Sequence, residues 1–383
     1  MTKRILLCFR ITEVTERRKS SNEFRLVCYN LLANMYSRTE FARKVFFRHC
    51  PAPYLDYNYR YPLIHRELLA YQGDILCLQE VDTAHFQQRL THFLREAGGY
   101  EGCFISKILI RASDEIQALP PVQPIETYTR KDEGVAIFYK PDRFRLIKEF
   151  KLDSLIMSAE TSGDPFLKEI TAKYHHLAES GEVAMYLCMR ARAHGALVCL
   201  FECSRTGHRF LCANTHLYFH PQANALKNIQ CLILRNYLLK LAEDNADGKP
   251  LPIILAADLN TSPGSQPYKN LVAGSVNEDG SQQESGLIFK AAVPLPEGVF
   301  TNMVPGFKAN LDAVLYGAPK NNNEILKVAH AFSVPTESEV FAEGRGLIPK
   351  YPPILPEEEG GLTLPNSQFP SDHLPLIVDF AVE

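Results

Sequence analysis

PIILAADLN, residues 252–260, runs from Pro252 through apolar residues 253–257 to Asp258 and, two places on, Asn260. TSPGS (261–265) then turns the chain away. A short apolar run bounded by turn residues reads as a buried strand. On a strand end, residues two apart face the same way. Asp258 and Asn260 are therefore expected to converge on a single water or phosphate.

The same pattern recurs along the chain. ILCLQEVD (75–82) carries Glu80 behind five strand residues, and LVCYNLLA (26–33) carries Asn30. FLCANTHLYFHP (210–221) carries Asn214 and His216, again two apart, an amide and an imidazole suited to a phosphate oxygen. LDAVLY (311–316) begins with Asp312 behind a leucine. SDHLPLIVDF (371–380) places Asp372 beside His373, and Pro375 leading into an apolar run argues against a helix there. A carboxylate such as Asp312 would fix the tautomer of His373 and stabilise its cation. GVAIFY (134–139) marks a further strand. Hard oxygen donors, a water positioner and neutral or cationic groups for a phosphate are what Mg²⁺-assisted phosphodiester hydrolysis requires.

Strands are expected at 25–30, 74–80, 134–139, 196–203, 209–217, 252–259, 311–316 and 375–382. Helices are expected at 61–72, 83–97 and 224–244. In the last, Ile229, Ile233, Tyr237 and Leu241 form one stripe, and Gly98-Gly99 ends the second. Helices do not follow every strand, so two mostly antiparallel sheets packed face to face, with helices outside, fit better than a doubly wound sheet. Residues 105–130, 272–298 and 344–371 read as long loops, and no linker separates two cores. Residues 1–21 are set apart as a strand or targeting remnant before one domain at 22–383.

Hydrophobic residues make up 46% of the 383, enough for a sizeable core. The net charge of −3 argues against coating long duplex DNA. Ten cysteines without metal-like spacing read as buried free thiols in a reducing compartment. No apolar run approaches the ~18 residues of a membrane span, so a soluble protein is expected.

In this order, the motifs resemble the endonuclease/exonuclease/phosphatase superfamily. YNLLA, LCLQEVD, NTHLYFHP, FTNMVPGF and PSDHLPL are similar to its deadenylase and 2′,5′-phosphodiesterase branch, as are residues 36–41 and LDYNYRYPLIHREL. The resemblance covers about residues 22–383. It implies a four-layered α/β sandwich of two sheets flanked by helices. It also implies a Mg²⁺ (or Mn²⁺) enzyme acting on 2′,5′-oligoadenylates and on the 3′ end of poly(A) RNA, releasing 5′-AMP. By resemblance, Glu80, Asn30 and Asp372 hold metal, with Asn30 and His216 supporting metal and phosphate. Asp258 activates water, Asn260 holds phosphate, and His373, oriented by Asp312, stabilises the transferring phosphoryl charge. Asn214 and Phe300 bind substrate, Phe300 either stacking an adenine or serving as a core aromatic. The chain departs from the family in having Ala257 and Leu259 around Asp258, and Gly306 where tail deadenylases carry an acid. The family's mitochondrial members suggest the matrix, with the cytoplasm as alternative. Two rival readings share the motifs: a phosphatase for a 2′-phosphorylated dinucleotide, and a non-catalytic RNA-binding module.

Overall fold

The computed structural model describes residues 11–107, 133–155, 165, 169, 194–221, 223–248, 251–273, 286–319, 325–341 and 363–383. In chain order the strands are Glu23–Asn30 (β1), Ile75–Asp82 (β2), Glu101–Ser106 (β3), Glu133–Tyr139 (β4), Phe144–Leu152 (β5), Ala196–Cys203 (β6) and Arg209–His216 (β7). There follow Ile253–Asp258 (β8), Lys290–Ala291 (β9), Asn302–Val304 (β10), Phe307–Ala309 (β11), Asp312–Gly317 (β12), Leu326–Ala331 (β13) and Leu376–Val382 (β14). One six-stranded sheet has the order β13-β14-β1-β2-β4-β3 and the other β5-β6-β7-β8-β12-β9, with β10-β11 a separate hairpin.

Each sheet is antiparallel except for one pair at its centre, β1 with β2 in the first and β7 with β8 in the second. Two central parallel pairs bring four carboxyl ends to the mouth of the sandwich, carrying Asn30, Glu80, His216 and Asp258. Antiparallel neighbours start where these end. Asp312, the first residue of β12, pairs with Asp258, and Leu376, the first of β14, pairs with Cys28. The segment carrying Asp372 and His373 thus enters at the same mouth.

Alternation sends successive side chains to opposite cores. On β6, Leu197, Cys199 and Phe201 enter the core between the sheets, while Ala196, Val198 and Leu200 face the core that includes Ile229, Ile233 and Leu241 of the helix Asn224–Asp244. The far end of the inter-sheet core is aromatic. Phe24 packs against Phe144, Phe210 and Phe380 at ring-centroid distances of 5.1, 5.3 and 5.7 Å. Such pairs add ~0.5–1.5 kcal/mol each beyond area burial.

All eight expected strands are present. The helix expected at 61–72 begins earlier, as Tyr57–Ala70, because the Asp56 carboxylate accepts the Asn58 N–H at 2.8 Å and caps it there. The helix expected at 83–97 is a run of three pieces, Thr83–His85, a π turn Phe86–Leu90 and Thr91–Gly98, and Gly99 stops it at φ +69°. The charged stretch after the proposed N-terminal strand is in part a helix, Ile11–Glu16, while residues 1–10 lie outside the described residues. Of the expected loops, residues 108–130, 274–285 and 344–362 lie outside the described residues, and the described part of 272–298 includes β9.

Arg25 on β1 is fully buried and holds Asp379 of β14 with two bonds, Nε to Oδ1 at 2.7 Å and Nη2 to Oδ2 at 3.0 Å. Asp379→Ala would leave that guanidinium buried without its carboxylate. We expect a loss of about 3–5 kcal/mol of unfolding free energy, read as a lower urea midpoint with an unchanged m-value.

Candidate active site

Glu80 reaches the mouth because β2 breaks register there. The pairing with β4 shifts between Leu78 and Val81, and Glu80 adopts φ +53°. A bulge of this kind re-aims a side chain. Four non-glycine residues among those described have positive φ, and three of them, Leu32, Glu80 and Asn260, surround the site. Each such conformation costs ~1–3 kcal/mol and persists only where the surroundings over-determine it. At Leu32 the determinants are visible. Its N–H donates to Asn30 Oδ1 at 2.9 Å, and its carbonyl accepts from Arg60 Nη2 at 2.8 Å. Buried Arg60 also donates to the carbonyls of Leu31 and Pro370 at 3.1 and 3.0 Å, tying the YNLLA loop to the SDHL segment. Ser371 Oγ completes the tie, donating to the Asn30 carbonyl at 2.7 Å and accepting the His373 N–H at 3.1 Å.

Asp258 Oδ2 is the focus. It accepts from Asn30 Nδ2 at 2.9 Å and faces His216 Nε2 at 3.5 Å and His373 Nε2 at 3.7 Å. The two imidazole gaps exceed ordinary hydrogen-bond length, so both Nε2 atoms can also reach a water or substrate oxygen held beside Asp258. Asp258 Oδ1 accepts the Asn260 N–H at 2.9 Å. Burial pushes the Asp258 carboxyl up to about 6, Asp312 adds repulsion, and the His373 cation pulls the other way.

The two histidines are pushed in opposite directions. His373 Nδ1 bonds Asp312 Oδ2 at 2.8 Å. Burial disfavours its cation, but Asp312 and Asp258 together outweigh burial and hold the pKa well above the usual imidazole value. His216 is pushed well below that value by burial, then by Lys107. Lys107 Nζ lies 2.9 Å from His216 Nδ1 and is paired with Glu133 at 2.8 Å. Lysine can only donate, so the proton of the neutral ring sits on Nε2, facing Asp258.

Glu80 Oε2 accepts the Ala33 N–H at 2.8 Å, and Oε1 accepts from Asn30 Nδ2 at 3.2 Å. Burial, then Asp372 and Glu133, push its carboxyl up to about 8. Asp372 accepts from Asn302 through Oδ2 at 3.3 Å, while its Oδ1 is buried without a hydrogen-bond partner. A repelled carboxylate beside an orphaned carboxylate oxygen suits a hard divalent cation. Asp258, Asp312 and His373 also place three ligand atoms within 4.8 Å of one another. His373, however, is bonded to Asp312 through Nδ1, and Asp312 and Asp258 favour its protonated form, which disfavours ligation. Glu80 and Asp372 are therefore the better pair for an ion.

Asn214 and Phe300 lie away from the mouth, and Asn260 meets Asp258 through its backbone N–H. Asn214 shares a strand face with His216 but lies one pair deeper. Its Nδ2 donates to the Leu78 and Ala136 carbonyls, both at 2.9 Å, and its Oδ1 accepts from Gln79 at 2.7 Å. Its hydrogen bonds join the two sheets instead of facing the mouth. Phe300 is fully buried in the inter-sheet core and has no ring face for a base. Asn260 lies past the end of β8 at φ +49°, and its side-chain amide donates to the Leu217 carbonyl at 3.0 Å. Asn30 is in place, but it turns its nitrogen to both carboxylates because its oxygen is taken by the Leu32 N–H.

Lys107, Glu133, Arg60 and Thr301 also build the site and are not among the residues expected from the motifs. The Thr301 hydroxyl accepts the Leu311 and Asp312 N–H groups at 2.9 and 3.1 Å and fixes the start of β12. Only its neighbours in FTNMVPGF hinted at it. Lys107 stands in no motif.

The chain matches the family model described as "Endonuclease/Exonuclease/phosphatase family" over residues 29–373. It is 28% identical over 378 residues to 2′,5′-phosphodiesterase 12 of Mus musculus, covering 95% of this chain and 53% of that protein. It is 29% identical to the Homo sapiens protein of the same name over 368 residues, 93% of this chain and 51% of that one. The CCR4-Not complex 3′-5′-exoribonuclease subunit Ccr4 of Candida albicans is 25% identical over 389 residues, 95% of this chain and 42% of that protein. The chain thus spans about half the length of the curated relatives it matches. Among solved structures, ANGEL2, a 2′,3′-cyclic phosphatase, in complex with adenosine-2′,3′-vanadate, aligns with a TM-score of 0.62 at 20% identity, covering 95% of this chain and 98% of that one. The human Nocturnin catalytic domain with bound sulfate aligns at 0.56 and 21% identity, covering 96% and 97%. These two likenesses bear out the two-sheet sandwich.

Proposed function

The chain belongs to the endonuclease/exonuclease/phosphatase family, and from that premise we propose that it is a Mg²⁺-dependent phosphodiesterase and 3′–5′ exoribonuclease. Its substrates would be 2′,5′-oligoadenylates and 3′,5′-linked poly(A) ends, and its product 5′-AMP. The observation that carries this reading is the single oxygen Asp258 Oδ2, faced by Asn30, His216 and His373, with Glu80 alongside.

Asp258 is the group that orients and deprotonates the attacking water, since its raised carboxyl, at about 6, remains basic at neutral pH. His216 donates from Nε2 to a phosphate oxygen while staying neutral. His373 donates from a cation, placing fixed positive charge where negative charge grows on the phosphoryl oxygens. Asp312 keeps that ring charged and oriented. Glu80 and Asp372 would hold the ion, Mg²⁺ or Mn²⁺ in its place, which when bound supplies Lewis-acid charge to the phosphate. Arg60 and Ser371 position Asp372 and His373 against Asn30.

The names of the curated relatives, a 2′,5′-phosphodiesterase and a 3′-5′-exoribonuclease, support both linkages. All eight described cysteines are free and buried, which fits the reducing mitochondrial matrix suggested by resemblance and fits the cytoplasm equally. Among the described residues, no helix is long and apolar enough to cross a membrane.

The test is a time course on 2′,5′- and 3′,5′-triadenylate, with Mg²⁺ and with EDTA, separating products by chromatography. Mg²⁺-dependent AMP release from either linkage supports the proposal, and the faster linkage identifies the preferred substrate. Cleavage of neither, with inorganic phosphate released from a dinucleotide 2′-phosphate, would replace the phosphodiesterase with a phosphatase.

A further inference from the structure

The seven large hydrophobic side chains exposed among the described residues are unevenly spread. Tyr36, Phe41, Val45 and Phe46 fall within one eleven-residue stretch and are 38, 62, 44 and 42% exposed. Exposed aromatic clusters of this kind mark interaction sites more often than chance. The Phe41 and Phe46 rings meet edge to face at 5.5 Å, so both stand on one patch.

The same stretch is basic. Arg38, Arg43, Lys44 and Arg48 are all exposed. Glu40 is the single acid between residues 36 and 48, and it is paired with Lys44 at 2.6 Å. The whole chain carries a net charge of −3, so this is a local concentration of cations and not a share of a general excess. Exposed rings interleaved with cations are the composition that binds single strands, with bases stacking on rings and phosphates meeting cations. A buried-core role does not explain rings that lie largely in solvent.

The patch is connected to the site. The Ala33 N–H donates to Glu80, and the Asn34 N–H to Asp82 at 3.0 Å, so the chain leaves the Glu80 carboxylate and runs directly into this segment. The Tyr36 hydroxyl donates to Glu133 Oε1 at 3.0 Å, and Glu133 holds the Lys107 that fixes His216. The first ring of the patch is therefore wired to the active-site network.

We propose that residues 36–48 form a docking surface for single-stranded RNA, carrying the nucleotides 5′ of the scissile bond. Phe41 and Phe46 supply stacking faces, and Arg38 and Arg43 meet the phosphates. The inference rests on the proposed phosphodiesterase reading for its direction, because the uncut part of a strand shortened from its 3′ end leaves the site on the 5′ side. It gives the substrate class a length: an oligonucleotide long enough to leave the pocket, in preference to a dinucleotide.

The experiment uses the full chain and two variants, Phe41→Ala/Phe46→Ala and Arg38→Gln/Arg43→Gln. Binding of a fluorescent single-stranded oligoadenylate of about a dozen nucleotides is followed by anisotropy in EDTA, so that it is read without turnover. We expect the aromatic variant to bind about tenfold or more weakly. The arginine variant should lower the slope of log affinity against log salt by about 0.7 for each phosphate no longer neutralised. With Mg²⁺, the ratio of kcat/KM on the long substrate to that on a diadenylate should fall by a similar factor, through KM. Unchanged RNA affinity in both variants would overturn the proposal. So would a wild-type dimer by light scattering that the aromatic variant abolishes, which would put a second copy of the chain on the patch. Absence of Mg²⁺-dependent cleavage by the wild type would defeat the phosphodiesterase reading alone, and the EDTA binding would still decide the docking surface.

Discussion

Asp258→Asn is expected to lower kcat by about a thousandfold, the middle of the range for loss of a positioned general base, with little change in KM. The substitution is nearly isosteric and removes a charge that burial disfavours, so the fold should survive. The introduced carboxamide would retain one acceptor oxygen, and either the Asn260 N–H or the Asn30 amide would lose its partner. That cost, roughly 1–3 kcal/mol, opposes relief of the buried charge, and the melting temperature should move little. The pH profile gives an independent reading. The folded carboxyl lies at about 6 and must be ionised to accept a proton. Wild-type activity at saturating metal should therefore rise with pH through about 6 and then level, and the variant's residual activity should lack that acid limb. An Asp258→Asn enzyme with wild-type kcat would remove Asp258 from the chemistry.

The second large effect is at Glu80. Its folded pKa, about 8, lies above the ordinary 4.5, so the folded protein holds the proton more tightly than the unfolded chain does. Linkage then sets the sign. Glu80's contribution to metal-free stability falls as pH rises from about 4.5 to about 8 and changes no further above that. A cation beside Glu80 reverses the penalty. Metal binding below pH 8 should expel a proton and tighten by up to tenfold per pH unit, with proton release vanishing well above pH 8. Glu80→Gln should abolish this linkage. Turnover should fall about a thousandfold, metal should no longer raise the melting temperature, and the metal-free variant should be at least as stable as wild type at pH 8. Wild-type protein at a hundredfold excess of Mg²⁺ over Kd should gain about 2.7 kcal/mol by mass action. Undiminished stabilisation of the Glu80→Gln variant by Mg²⁺ would move the ion elsewhere, with the cluster of Asp258, Asp312 and His373 as the next place to look.

The two substitutions separate the proposed base from the proposed metal carboxylate. The first should spare metal-induced stabilisation and remove the acid limb. The second should remove the stabilisation and leave Asp258 in place.

Sequence alone determined the central strands and the residues at their ends. β1, β2, β4, β6, β7, β8, β12 and β14 are apolar runs because both their faces are covered, and continuous burial leaves a continuous hydrophobic signature. Six strands escaped notice: β3, β5, β9 and β13 are the outermost strands of the two sheets, and β10 and β11 form the short separate hairpin. An edge strand is half solvated, and β5, FRLIKEFKL, carries the charges that keep an edge from pairing with another chain.

Tertiary structure alone decided which of the polar ends meet. Glu80 faces the mouth through a bulge and a left-handed backbone that the letters LQEVD do not announce. Asn214 and His216 share a face, yet depth in the sandwich separates a bridge between sheets from a group at the mouth. Phe300 reads as an exposed platform or a core ring with equal ease until the sheets close over it. Lys107 and Arg60 act across more than a hundred residues of chain, on His216 and on the Pro370 carbonyl respectively. Strand periodicity is local and survives in the sequence. The convergence of Asp258, His216, His373 and Asn30 depends on long-range pairing of two sheets, and no local pattern encodes it.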